Sequence, residues 1–212
     1  MSVEHWDAVY RGKGENEVSW FEESAQASLD LIDIRIPPPA GPAPGAAVDI
    51  GAGRSHLAQE LLARGWHPVI ALDISSIALA QLAARAQAAG LADGLICIAG
   101  DVLAWQPTQQ VRLWHDRAVF HFLTEPADQD AYAELAARTV EPGGILVLAT
   151  FAPDGPEQCS GLPTARHDAG SLAGIFAPAF RLVHQRRTEH RTPWGTIQPF
   201  TWVLLQRQPP DQ

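Results

Sequence analysis

The sequence predicts an α/β fold, a mostly parallel sheet with helices on both faces, and three observations predict it. From residue 47 onward, short apolar runs alternate with amphipathic stretches of helical length. Glycines close two of those stretches, and the last two apolar runs follow one another with no helix between them. Repeated strand–helix–strand units need crossovers, which are right-handed and lay the helices over a parallel sheet.

Taken in order, the chain opens with an aromatic-rich stretch holding Trp6, Tyr10, Trp20 and Phe21, and from Ser24 the run "AQASLDLIDI" has its apolar residues at helical spacing. "IPPPAGPAPGAA", Ile36 to Ala47, carries five prolines and two glycines, a density that neither a helix nor a central strand tolerates. The expected organisation is a helical segment over 1–36, a proline-rich linker over 37–47 and a principal domain over 48–207. Within that domain AAVDI, HPVIALD, GLICIAG, VRLWHD and GILVLATF read as strands. The stretches SHLAQELLARG, closed by Gly65, SIALAQLAARAQAAG, closed by Gly90, and DQDAYAELAARTV, ahead of Pro142, read as helices. "FRLVHQRRTEHR" and "TIQPFTWVLLQR", joined by "TPWG", read as a hairpin that adds an antiparallel strand to one side of the sheet.

Composition narrows the function. Net charge is -9, with 6 Lys+Arg against 13 Asp+Glu in residues 1–106 and 9 against 11 in 107–212. Such a surface repels phosphate backbones, so no nucleic-acid partner is expected. No run of 18 apolar residues occurs and the start is polar, so the expectation is no membrane partner, no secretory signal and a cytoplasmic protein. Cys97 and Cys159 cannot build a disulfide framework. His115, His121, His167, His184, His190 and Cys159 form no recognised ligand spacing, and no metal is expected. The sequence does not speak to oligomeric state.

The chemistry should lie beyond the carboxyl ends of the strands, where such sheets bind ligands. Gly51 and Gly53 follow the first strand and let backbone approach a ligand closely. Asp73, 22 residues after Gly51, stands at the tip of the second strand, where an acid can accept both ribose hydroxyl protons. Asp49, inside the first strand, braces the turn. Asp101 ends the third strand, placed to accept from an adenine amino group while Val102 covers the ring, and Asp116 ends the fourth. A dinucleotide would want G-x-G-x-x-G, but His56 stands after Gly51 and Gly53 at that spacing, and Arg54 is the one basic residue in the turn. Four acids at strand ends suit a ligand without phosphate, preferably one bearing positive charge.

With "VDIGAG", "ALDIS", "AGDV", "LWHDRAVFHFL", "EPGGILVLATF" and the terminal strand pair in this order, Val48 to Arg207 resembles the class I S-adenosylmethionine-dependent methyltransferases. The opening "HWDAVY…VSWF" resembles that of small methyltransferases of this class, including lysine methyltransferases acting on elongation factors. The resemblance implies a Rossmann-like doubly wound sheet of seven strands and S-adenosylmethionine as cofactor. It implies that Gly51, Ala52 and Gly53 pass the methionine part, that Asp73 with Ile74 meets the ribose, and that Asp101 with Val102 holds adenine. It also puts Asp116 beside the sulfonium, and Trp6, Tyr10 and Trp20 over the cofactor as part of a lid. Aromatic faces attract such a cation by about 0.5–2 kcal/mol; the same residues would equally serve as a packing staple for the N-terminal helix.

Methyl transfer from a sulfonium needs alignment more than acid–base chemistry. A base is needed only for a protonated acceptor, and His121 is the candidate, with packing as its other role. Arg117 would bind an acidic group of the substrate or pair with a neighbouring acid. The loop "APDGPEQCSGLPTARHD" should shape the acceptor pocket, with Cys159 packing or lining it. The expected activity is methyl transfer to a small-molecule substrate, with a protein side chain, as in lysine methyltransferases, as the second acceptor. A non-catalytic cofactor-sensing module and a nicotinamide-dependent oxidoreductase are the competing readings.

Overall fold

A computed structural model describes residues 2–37 and 43–209; positions 38–42 of the expected linker lie outside the described residues. Seven strands form one sheet: β1 (Ala47–Ile50), β2 (Val69–Asp73), β3 (Leu95–Ala99), β4 (Val111–Arg117), β5 (Val140–Phe151), β8 (Phe180–Arg191) and β9 (Ile197–Arg207). Their order is β3-β2-β1-β4-β5-β9-β8. The first five are parallel, and β9 runs antiparallel to both β5 and β8. The chain winds outward from β1 in one direction to β3, then returns to lay β4 on its other side. That reversal opens a crevice at the carboxyl ends of β1 and β4.

Period-2 alternation divides the core. Ala47, Val69, Ala71, Leu113, Val147 and Ala149 face α2 (Gln26–Asp33), α3 (Leu57–Ala63) and α4 (Ser76–Ala88); Val48, Ile70, Leu72, Trp114, Leu146 and Leu148 face α5 (Pro126–Thr139) and α6 (Ala169–Phe176). Local chemistry sets the helix ends. Ser75 caps α4 by accepting from the Ala78 N–H at 3.3 Å, Pro126 starts α5, and Gly65 and Gly90 follow α3 and α4 in the left-handed region at φ 84° and 72°.

Several features go beyond the sequence reading. The first strand begins at Ala47, the last residue of the expected linker. Helix α1 (Val3–Gly12) covers the crevice, whereas α2 contributes Leu29, Leu31 and Ile32 to the main core. The segment read as a loop after β5 contains a small hairpin, β6 (Gln158–Cys159) with β7 (Leu162–Pro163), and leads into α6, capped by Asp168, which accepts from the Ser171 N–H at 2.7 Å. In the terminal hairpin the later strand, β9, is the one seated against β5.

Candidate active site

The glycine turn folds back over β2. The N–H groups of Gly51 and Ala52 both donate to the Leu72 carbonyl, at 2.7 and 3.1 Å. Gly51 and Gly53 take φ of +64° and +51°, a region that glycine enters without strain. A Cβ on Gly51 would lie 2.0 Å from Val119 Cγ2, and one on Gly53 would lie 2.5 Å from the Tyr10 hydroxyl. Bare glycines are therefore what allow the loop after β4 and the N-terminal helix to close on the turn.

Asp73 is buried at the tip of β2. Its Oδ2 accepts from the Gly53 N–H at 2.8 Å and its Oδ1 from the Ser75 N–H at 2.7 Å. Burial raises its pKa to about 6, against the lowering effect of those two bonds. A carboxylate offers about four acceptor positions, so two remain for a ligand. Asp101, partly exposed, accepts from the Leu103 N–H at 2.9 Å through Oδ1. A Cβ added to Gly100 beside it would meet nothing within 4 Å.

Two cavities meet over this rim. The first is lined by Trp6, Tyr10, Trp20, Gly51, Asp73, Ile74, Asp101, Val102 and Arg117 among the sequence-predicted residues, together with Val119, Phe122 and Cys159. The second takes in Ala52 and Gly53 with Arg54, Asp49, Glu22 and His115. Tyr10, Trp20, Ile50, Gly51 and Arg117 line both, which makes them adjoining halves of one crevice.

Aromatic rings roof it. Trp6 packs edge-to-face on Trp20 and Phe122 at centroid distances of 5.7 and 5.4 Å, and Tyr10 on Trp20 at 6.2 Å. Polar latches hold the roof down. The Ser75 hydroxyl donates to Asp7 of α1 at 2.6 Å, and the Arg54 guanidinium donates to the Lys13 carbonyl at 2.9 Å and to that of Tyr10. Arg85 bonds Glu15 at 2.5 Å and the Arg54 carbonyl at 2.7 Å.

The two predicted residues that line neither half are Asp116 and His121. Asp116 is fully buried, accepting from the N–H groups of Val119 (2.9 Å) and Phe120 (3.1 Å) and from the Tyr132 hydroxyl (2.5 Å). Burial raises its pKa to about 6. Its carboxylate thus shapes the turn that carries Val119 and Phe122. His121 is also fully buried, between the rings of Phe122 and Phe151 at 4.4 and 4.6 Å, with no partner for either nitrogen. Burial lowers its pKa to about 3, with Arg117 and His167 adding to the effect. Arg117 pairs with Glu22 at 3.0 Å, donates to the Trp20 carbonyl at 3.0 Å, and stands 3.4 Å from His190 Nδ1.

Sequence reasoning named Asp49 as a brace of the turn but missed the residues that hold it. Asp49 accepts from the Ser55 hydroxyl at 3.2 Å and meets His115 Nδ1 at 2.7 Å, while His115 Nε2 meets Ser28 of α2 at 2.8 Å. Ser28, Ser55, Ser75, His115 and Glu22 carry no motif, and only the serine at the start of α4 had a readable signal, as a cap before an apolar helical run. Among the described residues no group of three His, Cys, Asp or Glu side chains is arranged to hold a metal ion, and no helix is long and apolar enough to cross a membrane.

A family model described as a methyltransferase domain matches residues 47–144. No curated protein matches the chain significantly. Among solved structures, one from work on converting a disulfide bond into a thioacetal group during echinomycin biosynthesis aligns at 22% identity and TM-score 0.74, over 97% of this chain and 93% of the other. The Burkholderia thailandensis 1,6-didemethyltoxoflavin-N1-methyltransferase, holding 1,6-didemethyltoxoflavin and S-adenosylhomocysteine, aligns at 18% and 0.69 over 88% and 80%. The N-methyltransferase NodS of Bradyrhizobium japonicum WM9 with S-adenosylhomocysteine aligns at 12% and 0.68 over 97% and 100%. At these identities the likeness is one of fold.

Proposed function

We propose that this chain is a class I S-adenosylmethionine-dependent methyltransferase that methylates a small molecule in the roofed crevice, a reading supported by the match of residues 47–144 to a methyltransferase-domain family model. The observation that carries the reading is that Asp73, Asp101 and the glycine turn line one continuous crevice beneath an aromatic cover. Asp73 would take the ribose hydroxyls and Asp101 the adenine amino group, with Val102 and the open space over Gly100 receiving the ring. The second half holds charges of both signs, Asp49 and Glu22 with Arg54, whose Nε–H is buried without a partner. That combination suits a zwitterionic amino-acid end. Bound there, S-adenosylmethionine would supply an electrophilic methyl on sulfonium to the lone pair of an acceptor, the carbon–sulfur electrons going to sulfur.

A small acceptor is supported by the enclosure. Trp6, Trp20 and Phe122 roof the crevice beside Asp73. The relatives of like fold named for echinomycin and toxoflavin chemistry point the same way.

Calorimetric titration with S-adenosylhomocysteine tests the cofactor. Binding is expected for it and not for NAD, and Asp73→Asn should weaken it about tenfold or more, since a hydrogen bond to a charged acceptor contributes about 1.5–3 kcal/mol. Because the ligand hydroxyls donate to the ionised carboxylate, wild-type affinity should fall as pH drops below about 6, and the Asn variant should lose that dependence. Tighter NAD binding, or a wild-type affinity unchanged from pH 7.5 to 5, would sink the assignment.

A further inference from the structure

We infer that His115 is a positioning residue for the amino-acid end of the cofactor: anchored to Ser28 of α2, it fixes the Asp49 carboxylate and, through it, the glycine turn beside the second half of the crevice. This deepens the methyltransferase reading and rests on it. The contacts form a continuous chain. Ser28 Oγ meets His115 Nε2 at 2.8 Å, His115 Nδ1 meets Asp49 Oδ1 at 2.7 Å, and Asp49 Oδ2 accepts from the hydroxyl of Ser55, just past the glycines, at 3.2 Å. Helix α2, β4, β1 and the turn are thereby joined.

The setting of this chain is apolar. Asp49 and His115 are paired neighbours on the parallel strands β1 and β4, on the face that presents Ala47, Leu113 and Val147 to the helices. Both are buried, as is Ser28. A carboxylate in such a layer is costly unless hydrogen bonds replace its water. Apolar side chains of similar volume often serve stability as well as a buried pair does, so stability alone is a weak reason for this one. A carboxylate only accepts, which puts the Nδ1 proton between the ring and Asp49, and the Ser28 hydroxyl, donor and acceptor both, completes Nε2. With its two nitrogens engaged the imidazole is held in one orientation. The carboxylate it touches is held with it.

The chain ends where a cofactor would feel it. Asp49, Ser55 and His115 all line the second half of the crevice, beside Arg54 and Glu22. Ser55 and His115 occupy two of the roughly four acceptor positions of Asp49, which leaves lone pairs for an ammonium group. A carboxylate whose direction is set before the ligand arrives has less freedom to lose on binding. His115 acts through Asp49 and Ser55, by orienting them, much as the outer partners of a metal ligand orient that ligand.

Calorimetric titration of the whole protein with two nucleosides separates this role from general damage. S-adenosylhomocysteine carries the amino-acid end; 5′-methylthioadenosine keeps ribose and adenine and lacks it. His115→Leu should weaken S-adenosylhomocysteine about tenfold, the scale of one hydrogen bond to a charged group, and leave 5′-methylthioadenosine within about twofold. His115→Asn, which keeps a donor near the Nδ1 position, should restore most of the affinity, and Ser28→Ala should lose several-fold for S-adenosylhomocysteine alone. In an Asp49→Asn background His115→Leu should add little, because both act through one carboxylate. Equal losses for the two nucleosides, wild-type affinity in His115→Leu, or additive losses in the double variant would overturn the inference. If His115→Leu does not fold, Ser28→Ala and His115→Asn make the same comparison, and equal losses for the two nucleosides there would overturn it too. A wild-type protein that binds neither nucleoside would instead overturn the cofactor reading, so the two failures are distinguishable.

Discussion

Ala118 sits with φ of +73° between the end of β4 and the turn that brings Val119 and Phe122 into the crevice. A left-handed alanine costs about 1–2 kcal/mol, and such strain persists only where neighbours over-determine it. Here they do. The Ala118 N–H donates to the Ala149 carbonyl at 2.9 Å, and Asp116 gathers the next two N–H groups. Ala118→Gly should therefore leave stability within about 1 kcal/mol, relieved strain offsetting the extra freedom of an unfolded glycine. Ala118→Val, β-branched at positive φ, should lose about 1–3 kcal/mol in urea unfolding. Equal losses for both would mean that something other than backbone strain governs the position. The same turn explains why Asp116 and His121 were hard to read. Their spacing puts them at a strand end, as it does Asp73, but Tyr132 and Phe151 arrive from distant segments to enclose them. Burial of that kind has no local signature.

The roof is an element held by side chains from other elements. Arg54 bonds carbonyls at the end of α1, where the helix leaves acceptors unpaired and its dipole favours a cation. Asp7 meanwhile ties its first half to Ser75, the residue that also donates to Asp73. Arg54→Ala should speed amide hydrogen exchange in residues 3–13 without altering exchange in β1, β4 and β5, and should weaken S-adenosylhomocysteine binding several-fold. Unchanged exchange in α1 would dismiss Arg54 as a latch. These latches join residues 31 to 70 positions apart, and in the sequence their arginines look like ordinary surface charges. The sheet was legible for the opposite reason: alternation of period 2 in strands and helical spacing between them are local, and so were the glycine turn and the strand-tip acids, which sit at fixed distances from it. Helix α6 was not legible, because "AGSLAGIF" is short and rich in small residues with no polar face to mark a period. The seat of β9 against β5 was not legible either, since a hairpin pattern reads the same whichever strand lies inside.

Across the whole molecule, three buried groups work against one another as pH falls. His121 has its pKa lowered from 6.5 to about 3, mainly by burial. Between those values the unfolded chain takes up a proton that the folded chain refuses, so this group removes stability as pH drops through 6.5 toward 3. Asp73 and Asp116, raised by burial from 3.8 to about 6, do the reverse. From pH 6 down to about 3.8 the folded protein binds protons that the unfolded chain releases, so stability is regained over that window. The opposing slopes should leave wild-type unfolding temperature changing less between pH 6 and 4.5 than either class of group alone would dictate. Replacing His121 by leucine removes one side of the balance. The leucine also fills the space between Phe122 and Phe151 without two unpartnered nitrogens, so at pH 7.5 the variant should be at least as stable as wild type. Its advantage should then widen steadily from pH 6.5 to 4.5 in calorimetric melts. A gap that stays constant over that range would mean that the folded protein admits the proton at position 121, and that the imidazole is reached by water rather than sealed between two rings.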